Sequence, residues 1–414
     1  MLDPLGQSQV LPYLRELARD GIQFTLLSFE RAPAFSAEGI ERCRRLKESL
    51  ASEGIEWHWL RYHQRPSLPA TAYDVWSGVR YASQLVRRNQ IEMVHARSHI
   101  PAAIALRLKK KFGVKMIFDV RGLMGDEYVD AGHWRKDSIP YRLTKAVERR
   151  ALKMSDGIVT LTERIWPIIK EWDALRERQV INEVVPCCAN LELFKFSLRE
   201  RERRRQELGI NNKFVVVYSG SIDGWYLTEE MADFFAVVLK EKPNAHMLWL
   251  SPANHDRIMS LMASRKIAAD SYSTVAADPQ DVASYLSASD VGLAFIKPCF
   301  SKLASSPTKY AEYLGCGLPL VINAGVGDSD ALILRENVGV LVNAFNEGEY
   351  RRVAALLKNF DNVDQTRAHS RSVAERLFDV RNLGSERYKR LYRRLFTLSA
   401  LFLLYTNVIS LYRV

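Results

Sequence analysis

The chain has 414 residues, of which 47% are hydrophobic and 26% are charged. This composition is typical of a globular protein and argues against a disordered or fibrous one, and the length predicts two domains. The net charge of +11 favours binding to a polyanion, such as an anionic lipid surface, nucleic acid or a phosphorylated substrate. Five cysteines without a CxxC pair argue against a zinc knuckle or a disulfide framework, and they favour a protein of the reducing cytosol. The first residues, MLDPLGQSQV, do not have the pattern of a signal peptide.

Short apolar segments alternate along the chain with longer amphipathic ones. In chain order they are FTLLSF (24–29), IEMVHA (91–96), KMIFDV (115–120), GIVTL (157–161), FVVVYSG (214–220), HMLWLS (246–251), VGLAFI (291–296) and LPLVIN (318–323). The alternation predicts parallel sheets built from βαβ units, so the fold class is α/β. Two such halves facing each other would form a central cleft, and ligands of parallel sheets bind beyond the carboxyl ends of the strands.

The start of the chain departs from this pattern. DPLG (3–6) is predicted as a loop, and a helix from Gln9 to Arg19 and then a strand follow it. The first strand of the N-terminal sheet is therefore missing from the pattern. A proline-containing loop, VVPCCANLELF (184–194), places the domain boundary near 185–210, and we divide the chain into 1–190, 191–375 and 376–414.

The last part of the chain, 376–414, is predicted as a helix and an apolar tail. After a run of basic residues up to Arg394, the chain is apolar from Leu395 to Leu411 except for scattered Ser, Thr and Asn. This length is close to that of a bilayer span, with positive charge on one flank. We expect either a helix that spans or lies on a membrane, or a tail packed on the protein's own surface.

The stretch SSPTKYAEYLGCGLPLV (305–321) has the pattern of a short helix with Ser306 as N-cap and Pro307 at its first position. Thr308, Lys309 and Glu312 share one face of this helix. A helix N-terminus with hydroxyls and a cation suits a phosphate, and a carboxylate one turn later can accept from ribose hydroxyls. The pattern fits a nucleotide; the alternative is a capped surface helix with an internal Lys309–Glu312 pair.

Several segments resemble family 4 glycosyltransferases, in the order in which that family has them. They are DPLGQSQVLPYLRELARDGIQFTLLSFER (3–31), VHARSHIPAAIAL (94–106), FDVRGLMGDEYVDAGHW (118–134), VVPCCANLELF (184–194), VVYSGSIDGWY (216–226) and SPTKYAEYLGCGLPLV (306–321). The resemblance extends from Asp3 to about Tyr392. It implies a GT-B fold of two Rossmann-like domains, with acceptor binding in 1–190 and nucleotide-sugar binding in 191–375.

On the donor side, the resemblance assigns Glu312 to the ribose-binding glutamate of the family's paired-glutamate pattern. Ala304 stands where the first glutamate is expected, so Ser306, Thr308 or Lys309 is expected to replace its contact with the sugar. The family often has Arg and Lys after the first strand of the second domain, and this chain has GSIDGWY (220–226) there. We expect Lys309, Lys297 or Arg121 to neutralise the diphosphate, and Gly220 and Gly224 to let the backbone approach it.

In the N-terminal half, Gly6 is similar to the family's glycine loop under the donor phosphates. The resemblance also implies a sugar-binding histidine after a buried strand, His99 in the first place and His95 in the second. Arg121, Asp126 and Glu127 follow another strand end and are similar to the acceptor side, where a carboxylate would orient or deprotonate the acceptor. The alternatives are structural histidines and a soluble loop with an Arg121–Asp126 pair.

The resemblance implies a retaining hexosyltransferase that moves a sugar from a nucleotide-sugar to a glycan or lipid-linked acceptor, in cell-surface polysaccharide or lipopolysaccharide biosynthesis. We expect no cofactor and no essential metal, since no DxD pair stands in a suitable place. The basic surface and apolar tail favour a cytoplasmic protein at an anionic membrane, without nucleic acid as a partner. A GT-B-like nucleotide-sugar epimerase and a non-catalytic membrane-associated scaffold are the alternatives.

Overall fold

A computed structural model describes residues 1–360, 363–396 and 406–413. The chain forms two α/β units: Met1–Pro186 together with Val380–Val414 (unit 1), and Cys187–Asp379 (unit 2). Unit 2 is continuous in sequence, whereas unit 1 is built from two segments. The region 376–414, which we predicted as a separate helix and tail, therefore belongs to unit 1 from Val380 onwards.

Unit 1 contains a seven-stranded, fully parallel sheet; elements are numbered along the whole chain. Its strands are β1 (Gln23–Glu30), β2 (Ile55–Arg61), β3 (Met93–Arg97), β4 (Lys115–Asp119), β5 (Gly157–Thr160), β6 (Ile181–Val184) and β13 (Asn407–Arg413). The order across the sheet is β2-β1-β13-β3-β4-β5-β6.

The helices of unit 1 connect these strands. They are α1 (Pro4–Gln9), α2 (Leu11–Arg19), α3 (Ala37–Ser52), α4 (Ser67–Arg88), α5 (His99–Phe112), α6 (Met124–Asp130), α7 (Ile139–Met154), α8 (Ile165–Lys170) and α17 (Glu386–Phe396). A 3-10 turn (Ala32–Phe35) and a π-helix (Val380–Ser385) complete the unit. The predicted Gln9–Arg19 helix is present as α2, which begins two residues later than expected. The prediction of DPLG (3–6) as a loop is wrong, because α1 begins at Pro4 and contains Gly6.

A strand from the C-terminal segment of the chain occupies the place of the strand that is missing from the N-terminal sequence pattern. No strand precedes α1 among the described residues, and β13 takes the place between β1 and β3. Gln23 pairs with Asn407 on one side of β13, and Val94 pairs with Ile409 on the other. Val408, Ile409 and Ser410 are fully buried, as expected of a central strand in a parallel sheet.

Unit 2 contains a six-stranded parallel sheet of order β12-β11-β10-β7-β8-β9. The strands are β7 (Phe214–Ser219), β8 (Ala245–Leu250), β9 (Tyr272–Val275), β10 (Val291–Ala294), β11 (Leu320–Asn323) and β12 (Gly339–Val342). The helices are α9 (Leu198–Leu208), α10 (Thr228–Glu241), α11 (His255–Ser264), α12 (Val282–Ala288), α13 (Thr308–Gly315), α14 (Ser329–Glu336), α15 (Glu347–Leu356) and α16 (Val363–Leu377). Hydrophobic clusters pack on both faces of this sheet.

Within the described residues, the apolar tail from Leu395 to Leu411 contains no membrane helix, which was one of the two forms that we expected for it. Residues 407–411 belong to β13, because a continuous apolar run also suits a strand that is buried on both faces. Residues 397–405 of the predicted helix lie outside the described residues. Within the described ranges, none of the helices combines the length and the hydropathy needed to cross a bilayer.

Candidate active site

The candidate donor site of unit 2 lies where the strand order of its sheet reverses. The chain runs outward from β7 to β8 and β9, and then returns to the opposite side of β7 to form β10. The loops after these two strands meet beyond their carboxyl ends, where Tyr226 and Ile296 form an antiparallel bridge. Ligands of open parallel sheets bind at this kind of switch point.

Helix α13 brings the predicted phosphate and ribose residues to this region. It begins at Thr308, and Pro307 occupies the N-cap position without a side-chain capping bond. The prediction of Ser306 as N-cap is wrong, because the Ser306 hydroxyl accepts a hydrogen bond from the backbone N–H of Cys187 at 3.1 Å. The hydroxyls of Ser306 and Thr308 remain partly exposed.

Lys309 is buried among aromatic rings, with 6% of its surface exposed. Its Nζ lies 3.7 Å from the ring centroid of Tyr226 and 4.3 Å from that of Tyr218, and donates to the Tyr218 hydroxyl at 3.3 Å. Burial lowers the pKa of Lys309 to about 7, although the carboxylate of Glu312 opposes this shift. The site therefore contains a cation with one protein hydrogen bond among the described residues, and nearby anionic groups would stabilise its charge.

Glu312 lies one helical turn after Thr308 and is partly exposed. Burial raises the pKa of Glu312 to about 7, and the charge of Lys309 limits the increase. Within the described part of the chain, the carboxylate has no hydrogen bond and no ion pair within 4 Å, so the alternative of a Lys309–Glu312 pair is not what the structure contains. A partly exposed carboxylate without a protein partner can accept hydrogen bonds from a ligand.

Gly220 and Gly224 both have positive φ, 137° and 64° respectively. A Cβ at Gly220 would lie 3.1 Å from the Nζ of Lys309, whereas a Cβ at Gly224 would meet no atom within 4 Å. Of the two predicted glycines, Gly220 is therefore the one that borders the buried cation. Lys297 is exposed in the loop after β10, and its backbone N–H donates to the backbone carbonyl of Trp225 at 2.9 Å.

In unit 1 the carboxyl ends of β3 and β4 carry a buried cluster around Asp119. Burial alone would raise the pKa of Asp119, but Arg121 and Arg97 outweigh it and hold the pKa well below its usual range. Arg97 lies 3.3 Å from the Asp119 carboxylate, and the Tyr388 hydroxyl donates to this carboxylate at 2.7 Å. The Nη2 of Arg121 donates to the side chain of Gln9 at 3.3 Å. Arg121 thus lies beside the α1–α2 segment of unit 1.

The backbone is strained at the same edge of the sheet. Ser98 and Arg121 have φ of 74° and 56°, a region that non-glycine residues seldom adopt. Ser98 lies between the end of β3 and the start of α5, and Arg121 lies in the loop between the end of β4 and the start of α6. Strain of this kind clusters at functional sites, so it supports a ligand-binding role for this edge.

The two predicted histidines are both buried. His95 has its Nδ1 2.8 Å from the Tyr392 hydroxyl, and burial lowers its pKa. His99 has its Nε2 2.9 Å from the carboxylate of Glu148, and its buried Nδ1 has no hydrogen-bond partner within the described part of the chain. Both are held by protein groups of unit 1, and their contact with a sugar stays a prediction.

The alternative interpretation of this loop predicted an ion pair between Arg121 and Asp126, but Asp126 has other partners. Its carboxylate lies 2.9 Å from Nζ of Lys145 and accepts from the Tyr141 hydroxyl at 3.2 Å, and Lys145 also pairs with Glu148. Asp126 is 8% exposed. Its neighbour Glu127 is partly exposed, so Glu127 is the more accessible of the two candidate carboxylates.

Gly6 lies in α1, where the side chain of Asp3 accepts from its N–H at 3.0 Å. A Cβ at Gly6 would lie 2.9 Å from both the Asp3 carboxylate and the Met1 backbone. Close packing of the chain therefore accounts for glycine at this position, and its contact with donor phosphates remains a prediction.

The sequence interpretation did not single out the aromatic residues around Lys309. Tyr218 is the penultimate residue of β7 and Tyr226 lies near the end of the loop after it, and both were quoted only as part of a segment. Nor did it select Lys302, whose Nζ lies 3.9 Å from the ring centroid of Trp225. Aromatic residues on either side of a glycine-containing loop after a buried strand were the available signal.

No metal site stands out. Within the part of the chain that the structure describes, no three side chains of His, Cys, Asp or Glu come together as ligands. The five cysteines are free thiols.

Comparison with known proteins agrees with this architecture. Residues 6–183 match the model of the glycosyl transferase 4-like domain. A search of curated protein sequences gives no match. Among solved structures, sucrose-phosphate synthase from Thermosynechococcus elongatus aligns with a TM-score of 0.70 and 17% identity, over 91% of this chain and 100% of its own.

Two further structures are similar at comparable levels. HepE from Anabaena, in complex with UDP and glucose, gives a TM-score of 0.62 and 13% identity over 90% of this chain and 99% of its own. WaaG, a glycosyltransferase involved in lipopolysaccharide biosynthesis, gives a TM-score of 0.62 and 14% identity over 89% of this chain and 99% of its own.

The two parallel sheets and these alignments define a GT-B fold with two Rossmann-like units. The family match itself is limited to residues 6–183, which are similar to the glycosyl transferase 4-like domain.

Proposed function

We propose that this chain is a retaining hexosyltransferase that moves a sugar from a nucleotide-sugar donor to a glycan or lipid-linked acceptor. One observation carries the proposal: the unpaired carboxylate of Glu312 follows the buried ammonium of Lys309 at the switch point of the unit 2 sheet. A cation suits the diphosphate of a nucleotide and a carboxylate suits its ribose. That the structures of HepE were solved with UDP supports a nucleotide ligand.

The proposed chemistry is a front-face displacement, in which the nucleotide leaves and the acceptor oxygen arrives on the same side of the anomeric carbon. The donor phosphate takes the proton of the acceptor hydroxyl, so no protein nucleophile is needed. The protein contributes positioning and stabilises the charge of the leaving diphosphate, the roles proposed for Gly220, Thr308 and Lys309. Glu127 of unit 1 is proposed to orient the acceptor.

The proposed setting is cell-surface polysaccharide biosynthesis, such as that of lipopolysaccharide, on the cytoplasmic face of an anionic membrane. The net charge of +11 supports attraction to such a surface. The similarity to WaaG, which acts in lipopolysaccharide biosynthesis, supports the same setting.

A thermal-shift screen with UDP, GDP, CDP and ADP and their sugars tests the nucleotide site, because a ligand that binds the folded state raises the melting temperature. We expect one base to be preferred, and the shift to be lost in Glu312→Gln but kept in Glu241→Gln, a change of an exposed glutamate at the end of α10. Absence of a shift with all four nucleotides would contradict the proposal.

Product analysis with the preferred donor separates the alternatives. A new glycosidic bond with unchanged anomeric configuration supports the transferase. An isomerised nucleotide-sugar would identify an epimerase, and binding without turnover of any donor would identify a scaffold.

A further inference from the structure

Unit 1 contains a large groove, and His99 is the one residue discussed for sugar transfer that lines it. Its volume is about 1310 Å³, and it lies along α5, which contacts both α4 and α7. The lining is mainly apolar, with Val75 and Trp76 from α4, Ile100 and Leu106 from α5, and Leu143 and Val147 from α7. The volume exceeds that of most small-molecule sites, which hold about 300–1,000 Å³.

Large apolar side chains at this groove are exposed to solvent. Trp76 is 57% exposed, Leu143 53% and Tyr128 42%, and all three line the groove. Exposed apolar surface that is this concentrated marks a binding surface. Tryptophan and tyrosine in particular suit the boundary between water and lipid.

The charges at the groove all have one sign. Four cations line it, and no aspartate or glutamate is among the described lining residues. Arg413 pairs with Asp74, which lies outside the lining, and the other three cations are Arg107, Lys110 and Arg150. None of these three side chains has a hydrogen bond or an ion pair within the described part of the chain. Unpaired cations beside apolar surface are complementary to an anion that carries an apolar chain.

A buried polar atom provides an independent indication of a ligand. His99 lines the groove and is 1% exposed, and its Nδ1 has no hydrogen-bond partner among the residues that the structure describes. Buried polar atoms without partners are rare, and an absent ligand is one of their explanations. His99 begins α5 and Lys110 lies near its end, so the groove floor spans about 16 Å at 1.5 Å per residue.

We propose that this groove binds an anionic phospholipid of the membrane surface, with the acyl chain along α5 and the phosphate at Arg107, Lys110 and Arg150. This site would hold unit 1 at the membrane through one bound lipid. The inference rests on the membrane location in the proposed function, but it does not depend on sugar transfer.

Decyl phosphate, decanol and inorganic phosphate are suitable probes of the site, measured by calorimetry on the full chain. Since chain and charge both contribute, we expect decyl phosphate to bind at least about tenfold more tightly than either of the other two. Added salt should weaken the binding of decyl phosphate and leave the binding of decanol unchanged. Equal affinity for decanol and decyl phosphate would overturn the role of the cations.

Adjacent arginines of α7 provide a matched pair of variants. Arg150→Gln is expected to weaken decyl phosphate binding about tenfold, whereas Arg149→Gln, which changes an exposed arginine outside the lining, is expected to leave it unchanged. Ala146→Phe adds a ring at an exposed position that lines the groove. Because this ring would fill part of the groove, it should weaken the binding of both decyl phosphate and decanol. The same loss in Arg149→Gln as in Arg150→Gln would show non-specific adhesion and overturn the proposal.

Co-sedimentation with vesicles tests the source of the lipid. We expect retention on phosphatidylglycerol vesicles but not on phosphatidylcholine vesicles, with retention reduced in Arg150→Gln and in Ala146→Phe. Binding of decyl phosphate without retention on vesicles would indicate a free amphiphile and overturn the membrane assignment. Measuring UDP binding on the same samples separates this outcome from failure of the transferase proposal.

Discussion

The ammonium of Lys309 lies 3.7 Å from the ring centroid of Tyr226, at the beginning of the helix that carries Glu312. Tyr226 ends the loop that follows β7, so this contact joins the loop to α13. The ring supplies part of the stabilisation that water would give the cation, but it does not supply a counter-charge. The cation site is therefore organised before any ligand binds, yet among the described residues no carboxylate lies within 4 Å of the ammonium, and Glu312 acts on it from farther away.

Removal of the Glu312 carboxylate is expected to weaken nucleotide binding. Glu312→Gln should cost about 1–3 kcal/mol of UDP affinity, because charge-assisted hydrogen bonds to the ribose hydroxyls would be lost. Calorimetric titration of wild type, Glu312→Gln and the exposed control Glu241→Gln measures this cost. Unchanged affinity in Glu312→Gln would remove this residue from the site.

Nucleotide binding should depend on pH through Lys309. Its pKa is about 7 without ligand, so at pH 8 most Lys309 side chains are neutral, and a bound diphosphate should raise the pKa and draw in a proton. The affinity should therefore fall as the pH rises above 7. Calorimetry at pH 8 in buffers of different ionisation enthalpy should show proton uptake in wild type but not in Lys309→Met. Equal uptake in both proteins would assign the proton to another group.

A side chain at Gly220 should disturb the cation site. In Gly220→Ala the Cβ would lie 3.1 Å from the Nζ of Lys309, at a φ of 137° that alanine rarely adopts. We expect a loss of UDP affinity of about tenfold or more, measured by titration. Gly224→Ala is the control, since it also has positive φ but open space around it, and comparable losses in the two variants would point to general loop strain.

The strand β13 should contribute strongly to the stability of unit 1. Ile409 is fully buried, so Ile409→Ala should lower the free energy of unfolding by about 2–5 kcal/mol. Ile139→Ala, at a position that is 64% exposed, should change it little. Hydrogen exchange of the β1 and β3 amides reports on unit 1 alone, and equal protection in the two variants would contradict a structural role for this strand.

His99 and Glu148 should act together in unit 1. Glu148 is 2% exposed, and although burial alone would raise its pKa, His99 and Lys145 hold it below its usual value. Its removal in Glu148→Ala would leave His99 buried without this partner, whereas Lys145 keeps its pair with Asp126, so we expect a cost of about 1–3 kcal/mol by denaturant titration. UDP affinity should be unaffected, and a parallel loss of UDP affinity would place this pair near the donor.

The sequence predicts the buried strands well and the edge strands poorly. All eight predicted strands are present in the structure, because continuous apolar runs are distinctive. Five strands were missed: β2, β6, β9 and β12 each lie at an edge of their sheet, whereas β13 is central and its apolar run was interpreted as a membrane helix or a surface tail. The side chains of the four edge strands are only partly buried, so polar residues interrupt the apolar pattern; in β9 no residue is fully buried.

The site was predicted less completely, because its character depends on contacts that are distant in sequence. The spacing of Lys309 and Glu312 indicates a shared helix face, and both residues lie on α13. Nothing in that spacing places the rings of Tyr218 and Tyr226 against Lys309. Likewise, the apolar run that ends the chain does not distinguish a membrane helix from a central strand, because both are apolar throughout.

The central position of β13 also determines when unit 1 can fold in the cell. Gln23 emerges early from the ribosome, but its partner Asn407 is synthesised only after all of unit 2. At translation rates of about 5–20 residues per second, the gap in the sheet stays open for tens of seconds. During this time β1 and β3 expose unpaired edges that invite aggregation, so the nascent chain should depend on chaperones until its last strand arrives.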